Sequence, residues 1–270
     1  MPQIEDICKR CFWGLHFLAR ALRIYTADKQ IHRLLHFSLK FSIIIEYWSF
    51  IMKINCPCDK SFEIEHNAKI NLDKEPEILK KIADGSYLTF KCPQCGRNVR
   101  SEIKTRIEWP SKKLILLFVP EADRIACLSS CSGLKEINEK TKKAEKIEYE
   151  KADETPVIGY SELAERLAVV EAGLDPHAME VLKFFILDSG KDIKGKKIKI
   201  FFHSVNDDGS FEFYVYGLKE DQVAVMKIPV KLYDSICQDI KNKKKSEIFT
   251  AVYLGNYLSY QNIFTEGRDS

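Results

Sequence analysis

Nine cysteines stand at positions 8, 11, 56, 58, 92, 95, 127, 131 and 237, and four of them have the spacing of metal ligands. Cys56-Pro-Cys58 and Cys92-Pro-Gln-Cys95-Gly96 are separated by 33 residues. In the second motif proline stiffens the first corner, Gly96 is free to take positive φ, and backbone N–H groups can then aim at thiolate sulfur. Two such loops on adjacent hairpins offer four sulfurs tetrahedrally to one Zn2+ ion, which is the plan of a zinc ribbon. Cys56, Cys58, Cys92 and Cys95 are therefore the candidate ligands. The first loop is one residue short, so both of its sulfurs reach one metal only through a tighter turn. Asp59 or His66 could replace a ligand if Cys58 does not reach. A closed four-thiolate site leaves no position for water or substrate and contributes chiefly to folding.

The same residues admit a rival chemistry. C-x-C and C-x-x-C dithiols exchange disulfides when a low thiolate pKa is arranged. Against an oxidoreductase, Cys92 does not precede an obvious helix N-terminus, no thioredoxin-like βαβ pattern surrounds it, and bound zinc would quench the thiolates. A zinc hydrolase needs three ligands, an open position and a nearby base. His66, His177 and His203 are isolated, and neither H-E-x-x-H, G-x-S-x-G nor a Gly-rich phosphate loop occurs. No catalytic residue is assigned. Cys127-Leu-Ser-Ser-Cys131 puts two sulfurs on one helical face, with nothing nearby to complete a metal set. Cys8-Lys-Arg-Cys11 reads as an accidental C-x-x-C, and Cys237 as a core residue. The odd cysteine count and the close spacing of the pairs favour a reducing cytoplasm over a disulfide framework.

The elements that must position these cysteines are short strands. Residues 53–66 alternate as a hairpin around the first loop, with Ile54, Phe62 and Ile64 on one face. Pro76 opens a short helix through Asp84, which Gly85 is suited to end. Leu88-Thr-Phe90 leads back to Cys92, and Val99–Ile107 and Leu114–Val119 read as two further strands. A β module of this size is marginal without a staple, a physical reason for a metal. After Pro156 the pattern turns helical, with Leu163, Leu167 and Val170 on one face. Asp175-Pro176 starts a second helix with Met179, Leu182, Phe185 and Ile186 as its stripe. Strands 198–203, 211–216 and 223–226 follow, the first two joined by an Asp208-Gly209 turn. Pro229 starts a last helix through about Lys241, and Tyr253, Tyr257 and Tyr260 pack back on the body. The fold class is α+β: a small zinc-ribbon β module with an inserted helix, then an α+β domain of two helices, an antiparallel meander and a C-terminal helix.

At these residues the chain resembles the CpXC family, uncharacterised bacterial and archaeal proteins named for paired C-P-x-C motifs. Ile70-Asn-Leu-Asp-Lys-Glu-Pro-Glu is similar to the stretch entering the family's inserted helix, and Ile82-Ala-Asp-Gly85 through Cys92 to its return to the second knuckle. Tyr160-Ser-Glu-Leu-Ala-Glu-Arg and Glu171-Ala-Gly-Leu-Asp-Pro-His resemble the helical region that follows, so the resemblance covers about residues 52–190. Two departures stand out: the shortened Cys56-Pro-Cys58, and Glu108-Trp109-Pro110 where an aromatic-His-Asp type sequence is expected. The resemblance implies a zinc-binding fold and no known activity.

Composition bounds the rest. The 270 residues are 45% hydrophobic and 30% charged, which excludes collagen-like and wholly disordered chains. Residues 1–51 carry seven basic and four acidic groups, leaving 35 of each sign in the remainder. That neutral body speaks against sequence-independent phosphate binding, which needs clustered Lys and Arg. A protein partner is therefore favoured over nucleic acid, with a nucleic-acid-binding ribbon kept as an alternative. Residues 1–51 read as an upstream translated or poorly ordered extension, Met52 being taken as the start; their apolar run is too short and too broken to span a bilayer. A membrane-surface helix over 12–37 is the competing reading. The zinc-ribbon domain then occupies 52–134, a charged connector 135–155, and the α+β domain 156–270. The connector holds six Lys and seven acidic residues among 21, too little apolar surface for a core. The expected protein is a non-enzymatic zinc-ribbon binding or adaptor module, with Tyr and Phe residues of the second domain as contacts.

Overall fold

The computed structural model describes residues 49–140, 154–189, 198–219, 222–242 and 247–265, all within one compact unit, Trp48–Ser270. The extension, its Cys8 and Cys11, and residues 141–153 of the charged connector lie outside the described residues. Strands β1 (Ser49–Asn55) and β2 (Ser61–Asn67) form an antiparallel hairpin in which Ile54 faces Phe62 and Met52 faces Ile64. Ile54 and Ile64 are buried while Lys53, Glu63 and Glu65 are exposed, the period-two pattern of a half-buried strand. Pairing begins at Ser49, three residues ahead of the boundary expected at Met52.

β3 (Lys69–Asn71) runs parallel to β6 (Thr105–Trp109), β6 pairs antiparallel with β7 (Leu114–Val119), and β7 runs parallel to β8 (Thr155–Ile158). Between β3 and β6 the chain makes helix α1 (Pro76–Ala83) and the small antiparallel hairpin of β4 (Thr89–Lys91) and β5 (Asn98–Arg100). Pro76 sits at the first turn of α1, and Gly85 beyond its end has φ +78°. The four-stranded sheet packs Ile107, Leu116, Phe118 and Val157 against Ile82 of α1 and against Leu163 and Leu167 of α3 (Tyr160–Glu171). Each such residue contributes roughly 1.5–3 kcal/mol by leaving water. Helix α2 (Arg124–Lys140) precedes β8 and carries the start of the charged segment as helix.

Two expected elements differ. The strand expected over Val99–Ile107 is split, because residues 101–104 spend their polar groups elsewhere. Glu102 accepts the backbone N–H groups of Glu121 at 2.6 Å and of Tyr160 at 2.9 Å, and the Thr105 hydroxyl turns back to the Ile103 carbonyl at 2.7 Å. The segment after Pro156 is not helical at once. Pro156 lies within β8, and the helix waits until Tyr160. β8 therefore adds the segment after the connector to the same sheet as β6 and β7.

The second core is built by α4 (Pro176–Ser189), the meander β9 (Lys199–Val205), β10 (Phe211–Lys219) and β11 (Gln222–Ile228), and α5 (Val230–Lys241). The sheet order β11-β10-β9 is that of an antiparallel meander. Ile200, Phe202, Phe213 and Val215 face inward, and α4 is buried over most of its circumference rather than along one stripe. Short elements close the chain: α6 (Glu247–Ala251), the β12 (Tyr253–Leu254) and β13 (Tyr257–Leu258) pair, and α7 (Gln261–Thr265). Tyr257 and Tyr260 are buried, whereas Tyr253 is 39% exposed. The architecture is a mixed α+β fold with the cysteines near its N-terminal strands.

Among the described residues, four Glu, Lys and Arg side chains lie inside. Lys183 sits 2.7 Å from Glu165 and 2.9 Å from Glu180, with Arg166 3.7 Å from Glu180. The remaining capacity is satisfied by the Phe202 and Tyr260 N–H groups, at 2.6 and 3.0 Å, and by the Leu258 carbonyl, which accepts from Arg166 at 3.0 Å. Two cations balance two anions, as burial requires. The quartet ties α3, α4, β9 and the C-terminal segment together.

Candidate metal centre

Each cysteine pair occupies the loop of a hairpin. In the second, Cys92 N–H donates to the Arg97 carbonyl and Gly96 N–H to the Cys92 carbonyl, both at 2.9 Å, with Gly96 at φ +71°. In the first, Cys56 N–H donates to the Lys60 carbonyl and Asp59 N–H to the Cys56 carbonyl, again at 2.9 Å, with Asp59 at φ +64°. The missing spacer is thus absorbed by closing the turn over three residues instead of four, and Asp59 takes the left-handed position that Gly96 holds in the longer loop. Asp is among the few non-glycine residues that tolerate it.

The loops bring the four sulfurs together. Cys56 Sγ lies 3.5 Å from Cys95 Sγ, and Cys58 Sγ 3.7 Å from Cys92 Sγ, so each close contact joins one hairpin to the other. All four sulfurs fall within 4.8 Å of one another. A tetrahedron with metal–sulfur bonds of about 2.3 Å has edges of roughly 3.8 Å. The cluster can hold a metal ion. Cys56 and Cys92 are buried, Cys58 is half-buried and Cys95 is exposed, so the centre sits at the rim of the module. Asp59 and His66 are outside the cluster. His66 is buried against Thr105, 2.9 Å from its hydroxyl, and burial lowers its pKa.

Neighbouring groups prepare the sulfurs unequally. Arg97 donates from Nε to Cys95 Sγ at 3.4 Å and adds its backbone N–H, bringing that thiol down to about 6. The N–H groups of Cys95 and Gln94 lower Cys92. The Cys58 N–H favours the Cys56 thiolate, but burial and the three surrounding thiols outweigh it and push Cys56 up to about 12. Four thiolates without a cation repel one another; a divalent ion reverses that balance.

The other residues considered in the sequence lie elsewhere. Cys127 and Cys131 are on α2; Cys131 is buried, its thiol 3.4 Å from Asn256 Oδ1, and burial raises both. His177 bonds the Phe249 carbonyl through Nε2 at 2.7 Å. His203 stacks on Tyr214 with ring centroids 4.3 Å apart. Cys237 packs, partly buried, against the second core. Glu108 pairs with Lys69 at 3.1 Å and Arg106 at 2.8 Å, and Trp109 is buried, so Glu108-Trp109-Pro110 is a packing feature. Sequence reasoning missed Arg97, although a cation two residues past a thiol was a legible signal. It also missed the buried quartet, which brings Glu165 and Arg166 of α3 to Glu180 and Lys183 of α4.

Two cysteine hairpins meeting at their loops, set on a mixed α+β body, define a protein with a four-thiol cluster that could hold a metal ion. The chain belongs to the CpXC family: the model described as CpXC protein matches residues 54–183, close to the span expected from the motifs. It is also similar to an uncharacterised protein of Treponema pallidum (strain Nichols), 38% identical over 219 residues that cover 80% of this chain and 100% of that protein. No solved structure matches the chain. No helix among the described residues is long and apolar enough to cross a membrane.

Proposed function

We propose that the protein is a non-enzymatic binding or adaptor module of a reducing, cytoplasmic compartment, organised by a structural Zn2+ ion on Cys56, Cys58, Cys92 and Cys95. The observation that carries the reading is the set of sulfur separations, near those of a tetrahedral thiolate site and formed across two otherwise independent loops. Four thiolates favour zinc over hard cations. Seven cysteines are free among the described residues, in keeping with a reducing environment. The boundaries 52–134, 135–155 and 156–270 are proposed as a division of the sequence, with β8 and α3 crossing it to complete the first sheet and its core. Whole-body charge neutrality favours protein over extended nucleic-acid surfaces as a partner.

The test is metal analysis of protein purified without chelator, followed by replacement with Co2+. One equivalent of zinc per chain, and the intense visible and charge-transfer bands of tetrahedral cobalt thiolate, support the reading. Cys58→Ser should weaken retention against a chelator and alter those bands, since the shortened loop contributes a real ligand. A metal-free protein that cycles reversibly between dithiol and disulfide would instead support the exchange enzyme.

A further inference from the structure

The hairpin that carries Cys92 and Cys95 also delivers Arg100 and Glu102 to an open cleft of about 410 Å3, bounded on the other sides by the start of α3 and by the meander. Pockets of this size hold small ligands. The three carboxylates of the lining are all engaged. Glu102 accepts two backbone N–H groups, Glu121 pairs with Arg124 at 2.7 Å, and Glu162 accepts from Arg124 at 2.7 Å and from the Ile158 N–H at 2.9 Å.

Two of the three cations are less engaged than Arg124, which Glu121 and Glu162 hold. The exposed Lys199 ammonium makes no hydrogen bond or close ion pair among the described residues and acts on Glu121 only at longer range. Arg100 lies 4.5 Å over the Tyr160 ring and donates one N–H to the Gly85 carbonyl, leaving its charge without a carboxylate. The formal charge of the lining is zero, and beside the lone pairs left on its carboxylates it offers free donors: Lys199, the remaining N–H groups of Arg100, and the Ser161 and Tyr216 hydroxyls. Such a site takes anionic oxygen.

Beside those donors the outer face of the meander is aromatic. Phe201 and Tyr216 meet edge to face at 5.8 Å, and His203 and Tyr214 stack at 4.3 Å and 22°. Tyr216 is 39% exposed, and Val225, paired across from Tyr214, is 57% exposed. Partly exposed flat rings next to cations that no carboxylate binds at close range suit a flat, stacked base joined to a phosphate.

We infer that this cleft and the adjoining sheet face bind a nucleotide unit, phosphate at Arg100 and Lys199 and base against Phe201 and Tyr216, whether free or within a single strand. The inference rests on the reading of the protein as a binding module and supplies its ligand class. Neutrality of the body forbids a long phosphate-tracking surface; it does not oppose a site with two cations.

The test is fluorescence anisotropy of the full chain, as purified, with labelled single-stranded RNA and DNA of about ten nucleotides, with AMP and inorganic phosphate as competitors. A Kd of about 10⁻⁴–10⁻⁶ M is expected of contacts that read no sequence. One phosphate held by both cations predicts a slope of about −0.7 for log K against log salt, flattening toward zero in Lys199→Glu, whose carboxylate offsets the remaining Arg100 charge. Tyr216→Ala should weaken binding about 5- to 150-fold, the worth of one stacked base. AMP competing as well as the strand assigns the site to a free nucleotide and supports the chemistry. Absence of binding, affinity unmoved by both substitutions, or phosphate competing as well as AMP overturns it. Neither substituted residue lies among the four cysteines, so metal content measured on the same samples reports the metal reading separately: strand binding without zinc sinks that reading alone.

Discussion

Replacing Lys183 with Met removes a buried ammonium while nearly preserving its length. The side chain is 3% exposed, and its Nζ bridges Glu165 and Glu180, at 2.7 and 2.9 Å. Burial alone would lower this amine, but the two carboxylates raise it, so it is charged in the folded state. The substitution leaves two carboxylates facing one guanidinium that is 3.7 Å from Glu180. An uncompensated buried charge costs about 3–5 kcal/mol, or roughly 10 °C in midpoint for a chain of this size. The loss depends on pH with a definite sign. Burial pushes Glu165 up from its ordinary 4.5 to about 7, so between those values the folded state holds a proton that the unfolded state has released. The contribution of this group is therefore fully present below about 4.5 and declines as pH rises toward about 7. Without Lys183 the carboxyl rises further and the window extends upward. The deficit of Lys183→Met relative to the parent, measured by urea unfolding, should widen from pH 5 to pH 8 (on the order of 1–3 kcal/mol). Adding Glu165→Gln, which keeps an acceptor for the Phe202 N–H, should recover about half of the loss at pH 8 and flatten its pH dependence. A deficit under about 1 kcal/mol, or one independent of pH, would refute the ionic account of the quartet.

Asp59 and two glycines, Gly173 and Gly255, give sharper local tests. At φ +64°, Asp59→Gly should leave zinc retention against a chelator unchanged or improved, while Asp59→Val, forced into the left-handed region, should lose about 1–2 kcal/mol of it. A Cβ on Gly255 would meet the Cys131 carbonyl oxygen at 2.5 Å, whereas one on Gly173, also at positive φ, meets nothing within 4 Å. Gly173→Ala should then cost about 1 kcal/mol in urea unfolding, for backbone strain alone. Gly255→Ala should cost at least 1 kcal/mol more, because backbone must yield; equal costs would dispose of the contact.

What the sequence made legible was local. The knuckles were readable because proline, glycine and thiol spacing fix a turn within five or six residues, and α1 because Pro76 and Gly85 bracket it. The Asp208-Gly209 turn between alternating strands was readable for the same reason. The parallel pairings β3–β6 and β7–β8 were not. They join segments 36 or more residues apart, as Ile70 with Ile107 and Phe118 with Val157, and nothing in the periodicity of either partner names the other. β8 was hidden further by its length of four residues and by Pro156, which is tolerated because β8 lies at the edge of its sheet. The buried quartet was hidden because a charged residue ordinarily marks a solvated position, and only the partners, distant in sequence, reverse that inference for Glu165 and Lys183.

The hairpin of β4 and β5 connects the proposed metal to the proposed ligand site. Cys92 follows β4 directly, and the pairs Lys91–Asn98, Phe90–Val99 and Thr89–Arg100 carry the geometry of the thiol loop three steps along to Arg100. A two-stranded ribbon of three pairs has little stability of its own in water. With the loop pinned to the first hairpin through sulfur, Arg100 is held over Tyr160 and against the Gly85 carbonyl. Released, it loses the constraint that places its charge beside Lys199. Removal of zinc should therefore weaken nucleotide binding through Arg100 and leave the aromatic face of the meander, built on the separate second core, in place. In the chelated protein Tyr216→Ala should still reduce the residual affinity, while Arg100→Ala should no longer do so. An Arg100 contribution that survives chelation would show that the two sites are independent.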